Sequence, residues 1–297
     1  MEVKLLHAFV ELAETGHYGR AAEKLHVTQS TLSKQIKALE DSVGGAVFER
    51  GRHGACLTSL GELLLKEARP FLRHGDELGA KMRAAMAGRT GHLTIAFGIS
   101  TLATAPRLIT RFRQAVPDCQ ITLNDMSSTT QHQRILAGRL DLGFCRAPEN
   151  TDDLSFVPVL TEHLALVVPP GTTIPPQDRL FELNDLGFVK LSSPRGPGLD
   201  AQIGLWCGHN GFKPRIIQQA DDILTVHSVV AAGLGAAMLP WHGAAALGGR
   251  TDRKKLDGPA SHWPVGLCWR TRDSNPLLLH FVDHVTQATD QAREPAS

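Results

Sequence analysis

The chain has 297 residues, with 31 Lys and Arg against 30 Asp and Glu, which gives a formal charge of +1. At roughly 150 residues per domain this length predicts two domains. Its 42% hydrophobic and 21% charged residues are typical of a globular protein and argue against wholesale disorder. The near-neutral balance excludes a strongly basic protein of the histone kind, but not a local basic surface.

Cysteine usage and the first residues bear on the compartment. The five cysteines are far apart and form no C-x-x-C pair, so they are not a disulfide framework and indicate a reducing environment. The opening MEVKLLHAFVELAE carries acids and a lysine where a signal peptide needs an apolar core. The most apolar stretch, residues 229–239, is too short to cross a bilayer. We therefore expect a cytoplasmic protein with no membrane contact.

The first forty residues predict three helices. Residues 3–14 have apolar side chains at helical spacing, and Gly16 ends that helix. A short helix is expected at 19–25, and Thr28 is placed to cap a third helix that runs to about Asp41. Because alanines in the second helix allow close crossing and the connecting turn is short, this pattern predicts a helix-turn-helix.

The third predicted helix carries side chains suited to reading DNA. Gln29, Ser30 and Ser33 are polar and lie near its N-terminal end, as contact with base edges in a major groove requires. Lys34 and Lys37 are better suited to phosphate contact, which gives affinity without sequence information.

The charge around this helix is locally positive. Residues 19–37 hold four basic residues against a single acid, although a merely solvated helical face remains the alternative interpretation. The following segment GGAVFERGRHGACLT, with two arginines among glycines, predicts a two-stranded wing against the DNA backbone. The predicted DNA-binding residues are Arg20, Thr28, Gln29, Ser30, Thr31, Ser33, Lys34, Lys37, Arg50 and Arg52.

A long amphipathic pattern begins at Thr58 and covers about thirty residues. Its apolar side chains recur at threes and fours, and Pro70 predicts a bend or kink. A long helix with an apolar stripe needs a partner, and we expect a second copy of the same helix in a dimer. The alternative is a core helix of the second domain.

From about Gly91 the pattern changes to short apolar runs that alternate with helical ones, which predicts parallel sheets covered by helices. Predicted strands are 92–97, 120–125, 141–145, 163–168, 187–191, 215–219, 235–239 and 265–269, and predicted helices are 103–115, 130–137, 201–209, 223–232 and 277–288.

Three strand-to-helix loops of this region carry groups that bind anions. Ser100 and Thr101 follow the first strand, Ser128 and Thr129 follow the second, and Arg146 follows the third. Ligands of such sheets bind beyond the carboxyl ends of the strands, where helix N-termini and an arginine attract a carboxylate. A small organic anion is therefore expected there. Serine and threonine in these loops also serve as simple helix caps, which is the alternative.

The motifs of the first sixty residues resemble one bacterial family. The run GHYGRAAEKLHVTQSTLSKQIKALE, followed by VFER and LTSLGE, is similar to the DNA-binding end of LysR-type transcriptional regulators, although Ser30 stands where that family very often has proline. The later runs PRLITRFRQAVP, AGRLDLGFCR and VVAAGLGAAMLP resemble the co-inducer domain of the same family.

This resemblance implies an all-α winged helix-turn-helix at 1–58, a linker helix for dimerisation at 59–90 and an effector-binding regulatory domain at 91–297. The regulatory domain would have a periplasmic-binding-protein-like α/β fold of two subdomains joined by two crossing strands. The runs GFCR and LSSPRGP are similar to the branch that responds to benzoate, muconate and related acids. In that branch the positions matching Ser100, Ser128 and Arg146 touch the ligand carboxylate, and Ser193 and Arg195 would face them.

The resemblance also implies the partners: two-fold-related DNA half-sites, a tetramer, RNA polymerase, and promoter bending that changes when the regulatory domain closes on its ligand. No cofactor is expected.

Two alternatives stay open, a redox-sensing regulator that uses Cys207 and a cytosolic small-molecule-binding protein without DNA function. No G-x-S-x-G, P-loop or G-x-G-x-x-G motif indicates an enzyme. His280 and His284 lie four residues apart without an evident third ligand, so no metal site is predicted.

Overall fold

The computed structural model describes residues 2–51, 54–149, 152–192 and 196–293. The chain forms two units, residues 1–84 and 85–297. In the described part, no helix combines the length and the hydropathy that crossing a membrane requires. The predicted domain boundaries at 58 and 90 stay predictions.

The first unit is a winged helix-turn-helix followed by a long helix, as predicted. Its elements are α1 Val3–Thr15, α2 Tyr18–Lys24, α3 Gln29–Val43, β1 Phe48–Gly51, β2 Gly54–Leu57 and α4 Ser59–Met86. Gly16 ends α1 in a left-handed conformation (φ 64°), and Thr28 caps α3 by accepting a hydrogen bond from the Thr31 N–H. Strands β1 and β2 pair in antiparallel orientation and form the wing.

One apolar core holds the three short helices and the wing. Ala21 and Ala22 of α2 are buried in the same cluster as Phe9 of α1 and the stripe Leu32, Ile36 and Leu39 of α3. The small alanine side chains bring the helices close together, which sets the steep crossing that presents α3.

Helix α4 is continuous through Pro70, and the bend or kink expected there stays a prediction. Proline has no N–H to donate to the carbonyl of Lys66, four residues earlier. Both Pro70 and Lys66 are exposed. We infer that water satisfies the freed carbonyl, and the helix is therefore maintained on both sides of the proline.

The second unit has the two α/β halves that the family resemblance implied. Half one is built on β3 Gly91–Phe97, α5 Ala105–Ala115, β4 Cys119–Asp125, α6 Ser128–Leu136, β5 Leu142–Arg146 and α10 Pro276–Arg293. Half two is built on β7 Phe188–Leu191, α7 Pro197–His209, β8 Ile216–Ala220, α8 Ile223–Ala231, β9 Ala237–Pro240, α9 Trp241–Leu247 and β10 Asp252–Lys255, with a 3₁₀ segment at Gln177–Asn184.

Two long strands, β6 Leu154–Val168 and β11 His262–Arg270, run through both halves. They pair with each other in antiparallel orientation, with a register shift between Val265 and Gly266. The early part of β6 pairs only with β11, whereas its last residues pair with β9 and β10. These are the crossing strands between the halves.

The sheets are mixed, which corrects the prediction of purely parallel sheets. Strand β3 is parallel to β4 and β5, and β7 is parallel to β8, but β11 is antiparallel to β5 and β6. The alternation of strands and helices forces parallel pairing only where a helix connects two neighbouring strands. The crossing strands enter the sheets without such a connection.

Each half has its own core. In half one, Phe112, Phe144 and Phe281 lie at the centre and pack edge to face. In half two, the fully buried Trp206 packs near Phe188 and Phe212. Two rigid cores joined by two strands place the loops at the carboxyl ends of β3, β4 and β5 opposite the start of α7 and α8.

Candidate functional site

In the first unit the residues predicted to contact DNA lie outside the apolar core. Gln29, Ser30, Ser33, Lys34 and Lys37 are exposed on α3. Arg20, Thr28 and Thr31 are exposed as well. The apolar stripe on the opposite side of α3 fixes the helix, so its outer side is available to a groove of DNA.

The cap of α3 organises its first turn. The Thr28 hydroxyl lies 2.8 Å from the Thr31 hydroxyl and 3.0 Å from the Ser30 hydroxyl. These contacts order the side chains at the helix start. Such ordering lowers the entropy lost when they contact a ligand.

Two basic positions differ from their sequence interpretation. Lys24, which contributed to the local positive charge, pairs with Glu11 at 2.9 Å, and a hydrogen bond to Glu11 raises its pKa. The backbone of Arg50 lies in β1, but its side chain and the whole of Arg52 lie outside the described residues. The exposed cations of α3 are therefore Lys34 and Lys37.

Helix α4 shows an exposed apolar stripe. Its members recur at spacings of three, four, seven and eight residues, which keeps them on one side of the helix. They are Leu60, Leu63, Phe71, Leu78, Met82 and Met86, each at least 37% exposed.

In the second unit a cavity of about 560 Å³ lies between the two halves. Its half-one wall is formed by the ends of β3, β4 and β5, and its half-two wall by residues at the starts of α7 and α8. Much of the lining is apolar, and includes Phe97, Ile99, Phe144, Leu199 and Ile223. This volume suits a small organic molecule.

The first predicted loop contributes one of its two hydroxyl residues. Ser100 lines the cavity. Thr101 is buried in a 3₁₀ turn, and its hydroxyl donates to the Gly98 carbonyl at 3.2 Å. Thr101 therefore stabilises the turn and does not face the ligand space, which corrects its prediction as an effector-binding residue.

The second loop separates the capping residue from the residues that face the cavity. Ser127 caps α6 by accepting from the Thr130 N–H, so the capping alternative applies to Ser127. Ser128 and Thr129 line the cavity in the first turn, whose N–H groups have no partner within a helix. The Ser128 hydroxyl accepts from the Arg146 N–H at 3.1 Å and keeps its own proton free to donate.

Arg146 at the end of β5 links the two halves. Its Nη1 donates to Gln202 Oε1 of α7 at 2.8 Å, and its guanidinium lies 3.8 Å above the ring of Trp263. Burial lowers its pKa to about 10, which the charge of Glu162 opposes. It stays charged at neutral pH, and its remaining N–H groups are suited to a carboxylate.

Sequence reasoning missed three acids that line the same cavity. Asp125 ends β4, and Asp221 and Asp222 precede α8, where Asp222 is the cap. Burial and the neighbouring charge of Asp222 raise the pKa of Asp125. The sequence signal was available, because Asp125 ends a predicted strand and Asp222 precedes a predicted helix. Ser193 and Arg195, expected on this side, lie outside the described residues.

The cysteine and the two histidines that the sequence singled out make packing contacts within the second unit. Cys207 is half-buried in α7, and burial raises its pKa to about 11, so little thiolate is present for a redox reaction. His280 and His284 pack edge to face on Phe112. Sequence reasoning missed a group that could hold a metal, His132, Cys145 and Cys268, because its members are far apart in the chain.

A winged helix-turn-helix together with a ligand cavity between two α/β halves defines a ligand-responsive DNA-binding regulator. Comparison with known proteins agrees with this class. The model of the bacterial regulatory helix-turn-helix proteins of the lysR family matches residues 3–62, and that of the LysR substrate binding domain matches residues 86–290. The chain belongs to the LysR family of transcriptional regulators.

Relatives match along almost their whole length. The HTH-type transcriptional regulator TcbR of Pseudomonas sp. (strain P51) is 30% identical over 293 residues, covering 97% of this chain and 99% of that protein. IlvR of Caulobacter vibrioides is 31% identical over 294 residues, covering 97% and 98%. The crystal structure of CbnR, a LysR family transcriptional regulator, aligns with a TM-score of 0.79 at 28% identity, covering 96% of this chain and all of that one.

Family membership excludes two alternatives. The family consists of DNA-binding regulators with an effector-binding domain, so the chain is neither an enzyme nor a small-molecule-binding protein without DNA function. Its small molecule is an effector rather than a cofactor.

Proposed function

We propose that this regulator responds to a small aromatic acid, held in the cavity with its carboxylate on Arg146 and the hydroxyls of Ser100 and Ser128. The half-buried guanidinium of Arg146 at the cavity wall carries this proposal. A partly desolvated guanidinium attracts a carboxylate more strongly than one in open water, because less water screens its charge. The apolar side chains of the lining suit a ring.

The acids of the cavity narrow the class further. A second carboxylate placed near Asp125 and Asp222 meets like charges in a site with restricted water. A monocarboxylate avoids this repulsion, and a hydroxyl group on its ring has acceptors there. Of the aromatic and dicarboxylic acids expected from the sequence, we therefore favour the aromatic monocarboxylate.

Ligand binding changes the contact between the halves through the same arginine. A carboxylate on Arg146 competes with Gln202 for the guanidinium, so the ligand has a different affinity for open and closed forms of the domain. The resulting shift in their populations re-spaces the DNA-binding pairs and changes promoter bending. The structure of CbnR in complex with its target DNA supports the proposal that this chain binds duplex DNA.

The apolar stripe of α4 supports a homodimer. Six large apolar side chains along one helix side are more than a solvated helix needs. Two copies related by a two-fold axis present their α3 helices to two-fold-related DNA half-sites. Assembly into a tetramer, contact with RNA polymerase and a cytoplasmic location complete the proposal by analogy with the family.

Thermal denaturation of the full chain tests the effector. We expect benzoate to raise the melting temperature, and to do so more than cis,cis-muconate at equal concentration, since a ligand of the folded state stabilises it by mass action. Arg146→Gln abolishes the rise, whereas Arg179→Gln, at an exposed arginine paired with Glu182, leaves it intact. A rise that survives Arg146→Gln contradicts the proposed site.

Binding to DNA is tested separately by gel shift. The full chain should bind duplexes with two-fold-related half-sites and lose affinity steeply as the salt concentration rises. Failure to bind any duplex at low ionic strength contradicts the role of α3.

A further inference from the structure

A cluster of two buried cysteines and a histidine adjoins the effector cavity, whose lining includes Cys145. His132 of α6, Cys145 of β5 and Cys268 of β11 place their Nε2 or Nδ1 and Sγ atoms within 4.8 Å of one another. Cys145 Sγ is 3.2 Å from His132 Nε2, and both cysteines are almost fully buried. We propose that these three side chains form a binding site for a thiophilic divalent cation, Zn²⁺.

The sheet register places the two thiols on one face of the sheet. Cys145 pairs with Gly266 across β5 and β11, and Cys268 pairs with Gly143. Each cysteine is therefore opposite a glycine, and the space over Gly143 is taken by the side chain of Gln131. A tetrahedral Zn²⁺ with bonds of about 2.3 Å to sulfur and about 2.0 Å to nitrogen holds those atoms about 3.5 Å apart. The observed 3.2 Å separation between Cys145 Sγ and His132 Nε2 needs only a small adjustment.

The same register disfavours a disulfide as the role of these cysteines. Cys145 and Cys268 are diagonal partners on neighbouring antiparallel strands, two residues out of register. Diagonal partners lie about 7–8 Å apart, whereas a disulfide needs Cα atoms within about 4.4–6.8 Å of each other. A metal ion bridges the longer separation because it adds two bonds between the sulfurs.

The surroundings favour a divalent ion. The side chains that pack around the two thiols are apolar, and include Ala96, Ile135, Leu140 and Leu154. Two thiolates, a neutral imidazole and Zn²⁺ sum to zero charge, whereas Cu⁺ leaves a buried negative charge, which is costly.

The cluster also touches the effector residue Arg146. His132 Nε2 lies 3.0 Å from the Arg146 carbonyl oxygen, to which it can donate a hydrogen bond. A ring nitrogen that binds a metal ion carries no proton, so this bond is lost when Nε2 takes the ion. Binding of Zn²⁺ therefore removes a hydrogen bond that holds the Arg146 main chain. This coupling rests on the proposed effector site, whereas the Zn²⁺ site does not.

The test uses the full-length chain with the exposed Cys56 changed to serine, so that an accessible thiol does not add metal. After loading with Zn²⁺ and dialysis, elemental analysis measures the bound metal, and Co²⁺ replaces Zn²⁺ as an optical probe of thiolate ligands. The ligand variants are Cys145→Ser, Cys268→Ser and His132→Gln, whose amide can still donate to the Arg146 carbonyl. The matched control is Cys119→Ser, at another buried cysteine.

We expect about one Zn²⁺ per chain in the parent and in Cys119→Ser, and an affinity at least ~10-fold lower in each ligand variant. The parent with Co²⁺ should show a thiolate-to-metal charge-transfer band, a readout that does not depend on the folding of any variant. Absence of that band, or Zn²⁺ retained unchanged by Cys145→Ser and Cys268→Ser, overturns the proposal.

A second measurement separates this proposal from the effector proposal. Zn²⁺ should change the melting-temperature rise given by benzoate. If benzoate gives no rise with or without Zn²⁺ while the metal is still retained, the effector proposal fails and the Zn²⁺ site stands. If benzoate raises the melting temperature and no metal is retained, the Zn²⁺ proposal fails and the effector proposal stands.

Discussion

Replacing Gly266 by alanine should destabilise the second unit strongly. A Cβ at this position lies 1.9 Å from the Val157 carbonyl oxygen and 2.7 Å from Pro158 Cα, both backbone atoms of β6. Real Cβ contacts stay beyond 3.0 Å, so the two crossing strands must separate by about 1.1 Å. Overpacking of this kind costs about 1–3 kcal/mol, and two lost ladder hydrogen bonds add about 1 kcal/mol each.

Against this cost, the reduced entropy of the unfolded chain contributes about 0.4–1 kcal/mol of stability. The expected net loss is therefore about 2–5 kcal/mol. Urea unfolding followed by tryptophan fluorescence measures it, since Trp206, Trp241, Trp263 and Trp269 all lie in the second unit and report on that unit alone. A chelator in the buffer removes any contribution from bound metal.

Gly204→Ala is the matched control. Gly204 is exposed in the middle of α7, and a Cβ there meets no atom within 4 Å. Alanine is the better helix former by about 0.8–1.0 kcal/mol, so this variant should be slightly more stable than the parent. If Gly266→Ala unfolds within about 0.5 kcal/mol of the parent, the close approach of the crossing strands is refuted.

Three further outcomes are expected. Lys34→Ala should weaken DNA binding similarly for all sequences and reduce the salt slope by about one, whereas Lys24→Ala, at the lysine paired with Glu11, should leave the slope unchanged in gel shifts across salt. His227 is buried, and burial, followed by the charge of Arg253, lowers its pKa from 6.5. Its neutral form therefore supports folding above about pH 6.5, and this support is lost as the pH falls below that value. His227→Gln should flatten the pH dependence of the unfolding free energy by up to ~1.4 kcal/mol per pH unit, and equal slopes in the parent and the variant would contradict this. Leu78→Glu should halve the mass seen by sedimentation because it places a charge in the α4 stripe, while Leu234→Glu, at an exposed leucine of the second unit, should not.

The sequence predicted the first unit well because its signals are local. Gly16 and Thr28 set helix ends by their own backbone and side-chain chemistry, and the apolar stripe of α3 has the helical period. The effects that went unpredicted come from contacts distant in sequence. Lys24 pairs with Glu11 of another helix, thirteen residues earlier in the chain.

In the second unit, all eight predicted strands are present, whereas β10 and the first part of β6 were missed. Residues 154–162 of β6 were missed although Phe156, Val157 and Val159 favour a strand. Pro158 interrupts this run, and pairing with β11 holds it in the strand. Strand β10 is fully exposed, so its sequence DRKK gives no signal.

In the candidate site, too, some residues follow from local sequence signals and others depend on contacts distant in sequence. Ser100, Ser128 and Arg146 line one cavity, as the convergence of strand ends in such sheets predicts, and their role in effector binding stays a prediction. The cysteine and histidine cluster instead depends on the register of β5 against β11. That register cannot be inferred from the spacing of the residues in the chain.

The crossing strands make half two an insertion within half one. Its segment leaves half one along β6 and returns along β11, and His163 pairs with His262 where the two strands meet. Directly opposed residues of antiparallel strands lie about 5 Å apart, so the whole intervening segment begins and ends at nearly one point. Domains with adjacent ends tolerate transplantation. Exchanging residues 164–261 for the equivalent piece of a relative should therefore give a chimaera that folds, recognises the same operator and answers a different chemical signal.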